Sequence, residues 1–159
     1  CGGLMDKLIK DVRIKSLKKI VDERGFLMEI LRNDDQMFIE FGQAYITAVN
    51  PGYVKAWHYH KKQIDNFACI KGKVKVVLFD ARKNSKTFGM INEFFISLEN
   101  PKVVQIPPYV YHGFESDCDE QSVILNIPTK KYNYKKPDEF RVKLDSKDIP
   151  YRWKGIKGG

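Results

Sequence analysis

The sequence predicts an all-β fold, and three observations predict it. Apolar and polar residues alternate with period two along most segments, the pattern of half-buried strands. Turn chemistry recurs between those segments, as in Glu23-Arg24-Gly25, Asn50-Pro51-Gly52 and Lys71-Gly72. No amphipathic helix of useful length is evident in the 159 residues. Short strands separated by turn signals point to a barrel or sandwich.

Taken in order, Val12, Ile14 and Leu17, set among lysines, predict a first strand. The turn at 23–25 starts a second, Phe26-Leu27-Met28-Glu29-Ile30-Leu31. Asn33-Asp34-Asp35-Gln36 reads as a helical turn or loop. Ala44-Tyr45-Ile46-Thr47-Ala48-Val49 is a strand closed by the turn at 50–52. Phe67-Ala68-Cys69-Ile70 and Val74, Val76, Leu78 form a hairpin around Gly72. Phe94–Leu98, Val103–Ile106 and Ser122–Ile127 continue the series. After Lys136 strand signals are few, and Ile149-Pro150-Tyr151-Arg152-Trp153 is expected to pack on the barrel. There is no repeat, low-complexity tract or linker, so residues 1–159 read as one domain with 137–159 as a tail. Residues 1–5, Cys1-Gly2-Gly3-Leu4-Met5, read as a tag or processing scar before a native start.

Composition removes several function classes. Hydrophobic (43%) and aromatic (13%) fractions are those of a folded globule and argue against disorder. The net charge of +8 comes mostly from scattered lysines with only short doublets. A nucleic-acid interface needs a clustered basic face, so nucleic acid is not an expected partner. A basic cavity for a phosphorylated small molecule suits the charge, and a solvated lysine-rich surface suits it equally. No apolar run reaches membrane-spanning length and no signal peptide is visible, so no membrane is expected either. Cys1, Cys69 and Cys118 are an odd set without framework spacing and read as reduced thiols of a cytoplasmic protein.

All three histidines fall in one pattern. Gly52 is followed by five residues and His58-Tyr59-His60, then four residues and Asp65, then six residues and Gly72. The third stands in Pro107-Pro108-Tyr109-Val110-Tyr111-His112-Gly113. This resembles the two-part cupin signature, with aspartate where the first motif usually has glutamate. The resemblance implies a double-stranded β-helix, or jelly roll, whose histidines point into one cavity.

Two chemistries compete for His58, His60, Asp65 and His112. Three imidazoles and a carboxylate suit one divalent ion such as iron, manganese, nickel or zinc. The same set suits metal-free acid–base work, in which a histidine takes a proton from a carbon beside a carbonyl. A carboxylate would then orient a ring and stabilise its charged form. The plain alternative is a set of core histidines with ordinary hydrogen bonds.

Further residues bear on the choice. Asp22-Glu23-Arg24-Gly25, with Glu29 five residues after the arginine, resembles the opening of the dTDP-4-dehydrorhamnose 3,5-epimerase family. Gln43, fifteen residues before His58, sits at the distance of a family glutamine. Lys55-Ala56-Trp57-His58-Tyr59-His60 is similar to the family's Arg-Gly-Leu-His-Tyr-Gln. Val76–Arg82 with Ser85-Lys86-Thr87-Phe88-Gly89, then Leu98-Glu99-Asn100, Ile106-Pro107, His112-Gly113-Phe114, Thr129–Tyr132 and Glu139 follow in family order. The likeness runs over about residues 12–153.

The resemblance implies a homodimeric jelly roll acting, without cofactor, on a nucleotide-diphosphate 4-keto-6-deoxy sugar. His58 would remove the proton alpha to the keto group, and His112 would hydrogen-bond the enolate oxygen. Arg24, Glu29, Gln43, Lys55 and Glu139 would contact nucleotide or diphosphate. Four departures stand beside it. The family's phosphate-facing arginine is Lys55, a point charge in place of a bidentate fork. Its active-site lysine falls on Asp65, and its proton-donating tyrosine falls on Asn126. Its dyad aspartate has no counterpart after Trp153. An unmodified family mechanism is therefore not expected. Asp65 is the candidate to orient His60 or His58, and Tyr132, Tyr134 or Tyr111 to replace the donor. His-x-His-Lys-Lys also resembles the sugar 3,4-ketoisomerases. A metal-dependent cupin and a non-catalytic sugar-nucleotide binder complete the alternatives.

Overall fold

Alternating apolar residues need a second surface to cover them, and here two sheets cover each other. The computed structural model describes residues 7–159, so the tag-like segment 1–5 lies outside the described residues. The strands are β1 (Arg13–Ser16), β2 (Lys19–Asp22), β3 (Gly25–Met28), β4 (Tyr45–Val49), β5 (Tyr53–Tyr59), β6 (Asp65–Lys71) and β7 (Lys73–Asp80). They continue as β8 (Ile91–Ser97), β9 (Lys102–Ile106), β10 (Val110–Ser116), β11 (Ser122–Asn126), β12 (Phe140–Arg141) and β13 (Lys157–Gly158). The described residues contain no helix.

One sheet has the order β1-β9-β6-β11-β4, and the other β12-β5-β10-β7-β8 with β13 also on β5. Pairing is antiparallel except for β13 on β5. Face to face they make the all-β jelly roll of a cupin. The core between them draws Phe67, Cys69, Val104 and Ile124 from one sheet and Val74, Val76, Leu78, Ile96 and Phe114 from the other.

The run Lys73–Asp80 is buried nearly throughout because β7 is covered on both faces. Val74, Val76 and Leu78 enter the inter-sheet core. Val77 and Phe79 face outward into a second cluster with Trp57 and Ile149, against which Tyr151 and Trp153 pack. Trp57 is fully buried, its ring centroid 5.1 Å from Trp153 and 6.0 Å from Tyr151. On the same outer face Lys75 pairs with Glu115 at 2.7 Å. The Gly155 backbone N–H donates to that carboxylate at 2.8 Å and fastens the tail over the sheet.

The structure departs from the alternation in two places. The segment expected as one strand over 26–31 stops at Met28 and pairs with the unforeseen β2 to make a separate hairpin. Ile30 and Leu31 instead pack on Met37, Ala68 and Val103. The alternation also gives no strand of its own at β5 or β10. Their cavity-facing positions carry Lys55, His58 and His112, so the polar site interrupts the apolar period.

Gly113 makes the approach of β10 to β5 possible. A Cβ there would collide with the Cβ of Ala56. The register between the strands shifts at this point, between His112 and Phe114. Gly113→Ala is expected to cost about 1–3 kcal/mol, as overpacking typically does. It should also displace His112. Urea unfolding measures the first effect, and the His112 ring shifts in NMR spectra measure the second.

Candidate active site

Between the sheets lies a cavity of about 560 Å³, within the range of small-molecule sites. Phe67 and Phe114 line it from the top of the core. Strand register brings the imidazoles together: His112 of β10 is directly opposite His58 of β5, and Arg141 of β12 is opposite His58 on its other side. His60 follows the end of β5, and its ring centroid is 5.5 Å from that of His112. The three histidines thus line one hollow, as the cupin resemblance implies.

Asp65, at the start of β6 in the opposite sheet, is 1% exposed and ties the site together. Its Oδ1 accepts from Gln63 Nε2 at 2.7 Å and from Asn126 Nδ2 at 3.0 Å. Its Oδ2 lies 3.0 Å from His60 Nε2 and 3.2 Å from His112 Nε2. Burial on its own would raise this carboxyl's pKa. The His112 and His60 contacts outweigh burial and hold it well below the usual carboxylate range.

His60 is gripped from both sides. Its Nδ1 faces the Asp138 carbonyl oxygen at 2.5 Å while Nε2 faces Asp65. Burial opposes a charge on the ring, but Asp65 and the Asp138 carbonyl prevail and push its pKa up to about 9. The Asp138 carboxylate in turn accepts the backbone N–H groups of Lys61, Lys62 and Gln63, each at 2.9 Å. This fixes the loop that carries His60.

His58 is the opposite case. Its Nε2 is buried and has no hydrogen-bond partner among the described residues. Burial pushes its pKa down to about 4, with His112, Arg141 and His60 adding to the push. The site therefore holds a neutral imidazole with an unengaged nitrogen beside a charged imidazole paired to a carboxylate. Two like groups driven apart by environment form the arrangement used to divide acid and base roles.

The other residues singled out in the sequence divide into two groups. Gln43, Lys55, Tyr132 and Glu139 line the cavity. Lys55 Nζ donates to Thr47 Oγ1 at 3.0 Å, Gln43 Oε1 accepts the Tyr132 backbone N–H at 3.2 Å, and Glu139 sits 3.8 Å from Arg141. Arg24 and Glu29 are not brought to this cavity. Arg24 pairs with Asp22 on the exposed β2–β3 hairpin, and Glu29 pairs with Arg32. The physical reason is that the β2–β3 hairpin, after which Glu29 comes directly, pairs with neither main sheet. Asp65 orients His60 and touches His112, while His58 is left free.

Ligand atoms of His60, Asp65 and His112 lie within 4.8 Å of one another, a separation that a metal ion could span. The donor chemistry does not fit. His60 presents both ring nitrogens to oxygen acceptors, and both Asp65 oxygens are already taken by donors. A ligand imidazole must be neutral with its lone pair toward the metal. His58, the one ring with a free nitrogen, is not in that cluster.

The sequence did not mark Tyr45, Gln63, Asp138 or Arg141, all of which line the cavity. Their signals were weak. Tyr45 reads as a packing aromatic, and the others lie where no periodicity operates.

The sequence profile of the dTDP-4-dehydrorhamnose 3,5-epimerase family matches residues 6–158. The chain is 41% identical over 147 residues to a probable low-salt glycan biosynthesis epimerase, Agl13, of Haloferax volcanii, covering 91% of this chain and 94% of the relative. It is 37% identical over 146 residues to the spore coat polysaccharide biosynthesis protein SpsL of Bacillus subtilis, covering 92% and 97%. The crystal structure of a dTDP sugar isomerase from Desulfovibrio desulfuricans superposes with a TM-score of 0.87 at 29% identity, over 94% of each chain.

The two perturbed histidines give a signed pH dependence. His60, raised from 6.5, contributes stability that is full below about 6.5 and is lost as pH rises through about 9. His58, lowered from 6.5, contributes stability that is full above about 6.5 and is lost as pH falls through about 4. Urea midpoints between these limits should decline on both sides of pH 6.5. In His60→Gln the alkaline decline should flatten while the acid decline stays.

Proposed function

This chain belongs to the dTDP-4-dehydrorhamnose 3,5-epimerase family, and from that membership we propose that it epimerises a nucleotide-diphosphate-linked 4-keto-6-deoxy sugar. The observation that carries the reading is the unengaged, neutral His58 Nε2 in a cavity otherwise fixed by a charged pair. His58 takes the proton alpha to the keto group, and negative charge moves onto the ketone oxygen. The His112 contact is the longest of the four on Asp65, so its Nε2 is the donor best placed to turn toward that oxygen. Asp65 and His60 position the loop and ring beside it. The proton returns on the other face, which inverts the carbon.

Lys55, Lys131 and Arg141 supply positive charge on the cavity wall for a diphosphate, with Gln43 and Glu139 as polar contacts for the nucleotide. No metal enters this scheme, because deprotonation beside a carbonyl is within reach of a positioned imidazole. Tyr132 remains a cavity residue able to meet the sugar. We place the protein in the cytoplasm, where its free thiols Cys69 and Cys118 stay reduced. No helix among the described residues is long and apolar enough to cross a membrane.

Arg24 and Glu29 can meet a nucleotide only in the pocket of a second copy. Their hairpin exposes Ile20, Val21, Phe26 and Leu27, each half exposed or more. A homodimer would cover that apolar surface and deliver the two side chains. Light scattering should give a mass about twice that of one chain. Phe26→Asp should yield monomer with weakened nucleotide-sugar binding.

The reaction is tested with dTDP-4-keto-6-deoxyglucose in deuterated water. Proton NMR should show deuterium entering a carbon beside the keto group and an epimer that keeps the ketone at carbon 4. Movement of the ketone to carbon 3 would instead identify a ketoisomerase. His58→Ala should slow exchange by about 10²- to 10⁴-fold, as loss of a general base does. Dialysis against chelator should leave the wild-type rate unchanged.

A further inference from the structure

Inversion needs an acid on the face away from the base, and the position of the family's donor tyrosine holds Asn126, whose amide has no proton to give at neutral pH. The surroundings of Asn126 show where a replacement stands. Its Oδ1 accepts the Asn66 backbone N–H at 3.0 Å, which fixes the orientation of the amide. Its Nδ2 therefore points the other way and donates twice, to Asp65 Oδ1 at 3.0 Å and to the Tyr45 hydroxyl oxygen at 2.8 Å. Tyr45 is the residue directly opposite Asn126 in the β11–β4 register. A phenol has been moved one strand sideways, and the residue in the vacated place holds it.

Resting on the epimerase reading above, we infer that Tyr45 is the catalytic acid that protonates the enolate on the face opposite His58. Three observations carry this. First, the two groups are on facing sheets: His58 on β5 of one, Tyr45 on β4 of the other, both lining the cavity. A flat enolate between the sheets presents one face to each. Second, Asn126 is the donor in its bond to Tyr45, so that bond does not consume the phenolic proton. The O–H remains available to a substrate carbon. Third, Tyr45 is anchored at its oxygen by a buried side chain, whereas Tyr132 is held through its backbone and Tyr134 is 89% exposed on the tail. A proton donor must be positioned before the reaction to be efficient. Burial, with the charge of Asp65 adding to it, pushes the Tyr45 phenol up to about 12, so the group stays protonated through the neutral range.

The step balances without a co-reactant other than water. His58 Nε2 takes the carbon-bound hydrogen as a proton, and the electron pair moves through the enolate. The enolate carbon then forms its new bond to the Tyr45 proton, leaving a phenolate to which Asn126 Nδ2 already donates. Water entering the open side of the cavity restores the phenol and accepts the proton from His58.

The test separates abstraction from return. Wild-type protein and Tyr45→Phe are incubated with dTDP-4-keto-6-deoxyglucose in deuterated water, with dTDP binding measured alongside to show that the site is formed. In the variant, deuterium should still enter the carbon beside the ketone, within about tenfold of the wild-type rate. Epimer formation should fall by about 10²- to 10⁴-fold. Epimer at the wild-type rate overturns the assignment, and so does parallel loss of exchange and inversion with dTDP binding intact. A wild-type protein that neither exchanges nor inverts overturns the epimerase reading itself and the assignment with it. Incorporation of 3,5-difluorotyrosine at position 45, which makes the phenol more acidic, should move the alkaline limit of inversion to lower pH. An unmoved limit overturns the role of acid.

Discussion

The buried carboxylate of Asp65 is the constraint on which the rest of the site depends. A charge with 1% exposure is tolerable only when its lone pairs are met by donors. Here the donors come from three parts of the chain: Gln63 in the loop after β5, Asn126 on β11, and the imidazoles of His60 and His112 beside the other sheet. Each donor is drawn toward one point between the sheets, and the geometry of the cavity follows. Breaking a buried charge network by removing one partner typically costs about 3–5 kcal/mol, a large share of the 5–15 kcal/mol that holds a domain folded. Shape and stability are therefore set by the same atom group.

That carboxylate also divides the histidines chemically. His60, bound to it, carries charge, and His58, left out of the network, is neutral with an open nitrogen. Two identical side chains separated by one residue thus reach different protonation states because only one of them touches Asp65. The same network extends through Asn126 to the Tyr45 hydroxyl on the opposite wall, so the carboxylate that leaves His58 free also holds that phenol in place.

Much of this was legible in the sequence, and the illegible part has a physical cause. β4, β9 and β11 announce themselves as short runs rich in β-branched and other apolar residues between turn signals. β5 and β10 do not, since their cavity-facing positions are polar, although these are the strands that carry the histidines. The convergence of His58, His60, Asp65 and His112 was readable only through the resemblance of their spacing to the two-part cupin signature, which implies a shared cavity. Partner choice was not readable. Nothing in the spacing says that Asp65 meets His60 and His112 rather than His58, because that depends on how the two sheets sit against each other. Tyr45 looked like any strand aromatic, and only the orientation of the Asn126 amide separates it from a packing residue. Asp138 lies in a segment with no period at all.

That last residue has a consequence for how the protein comes into being on the ribosome. Every histidine precedes β12 in the chain, yet the loop holding His60 is capped by Asp138, and the outer edge of β5 is paired by β12. Elongation at roughly 5–20 residues per second lets the upstream barrel begin folding before that stretch emerges. A nascent chain can therefore form much of its barrel before the loop of His60 is held. The clamp comes from the C-terminal stretch, so His60 is set only after the strands that carry His58 and His112 have been made.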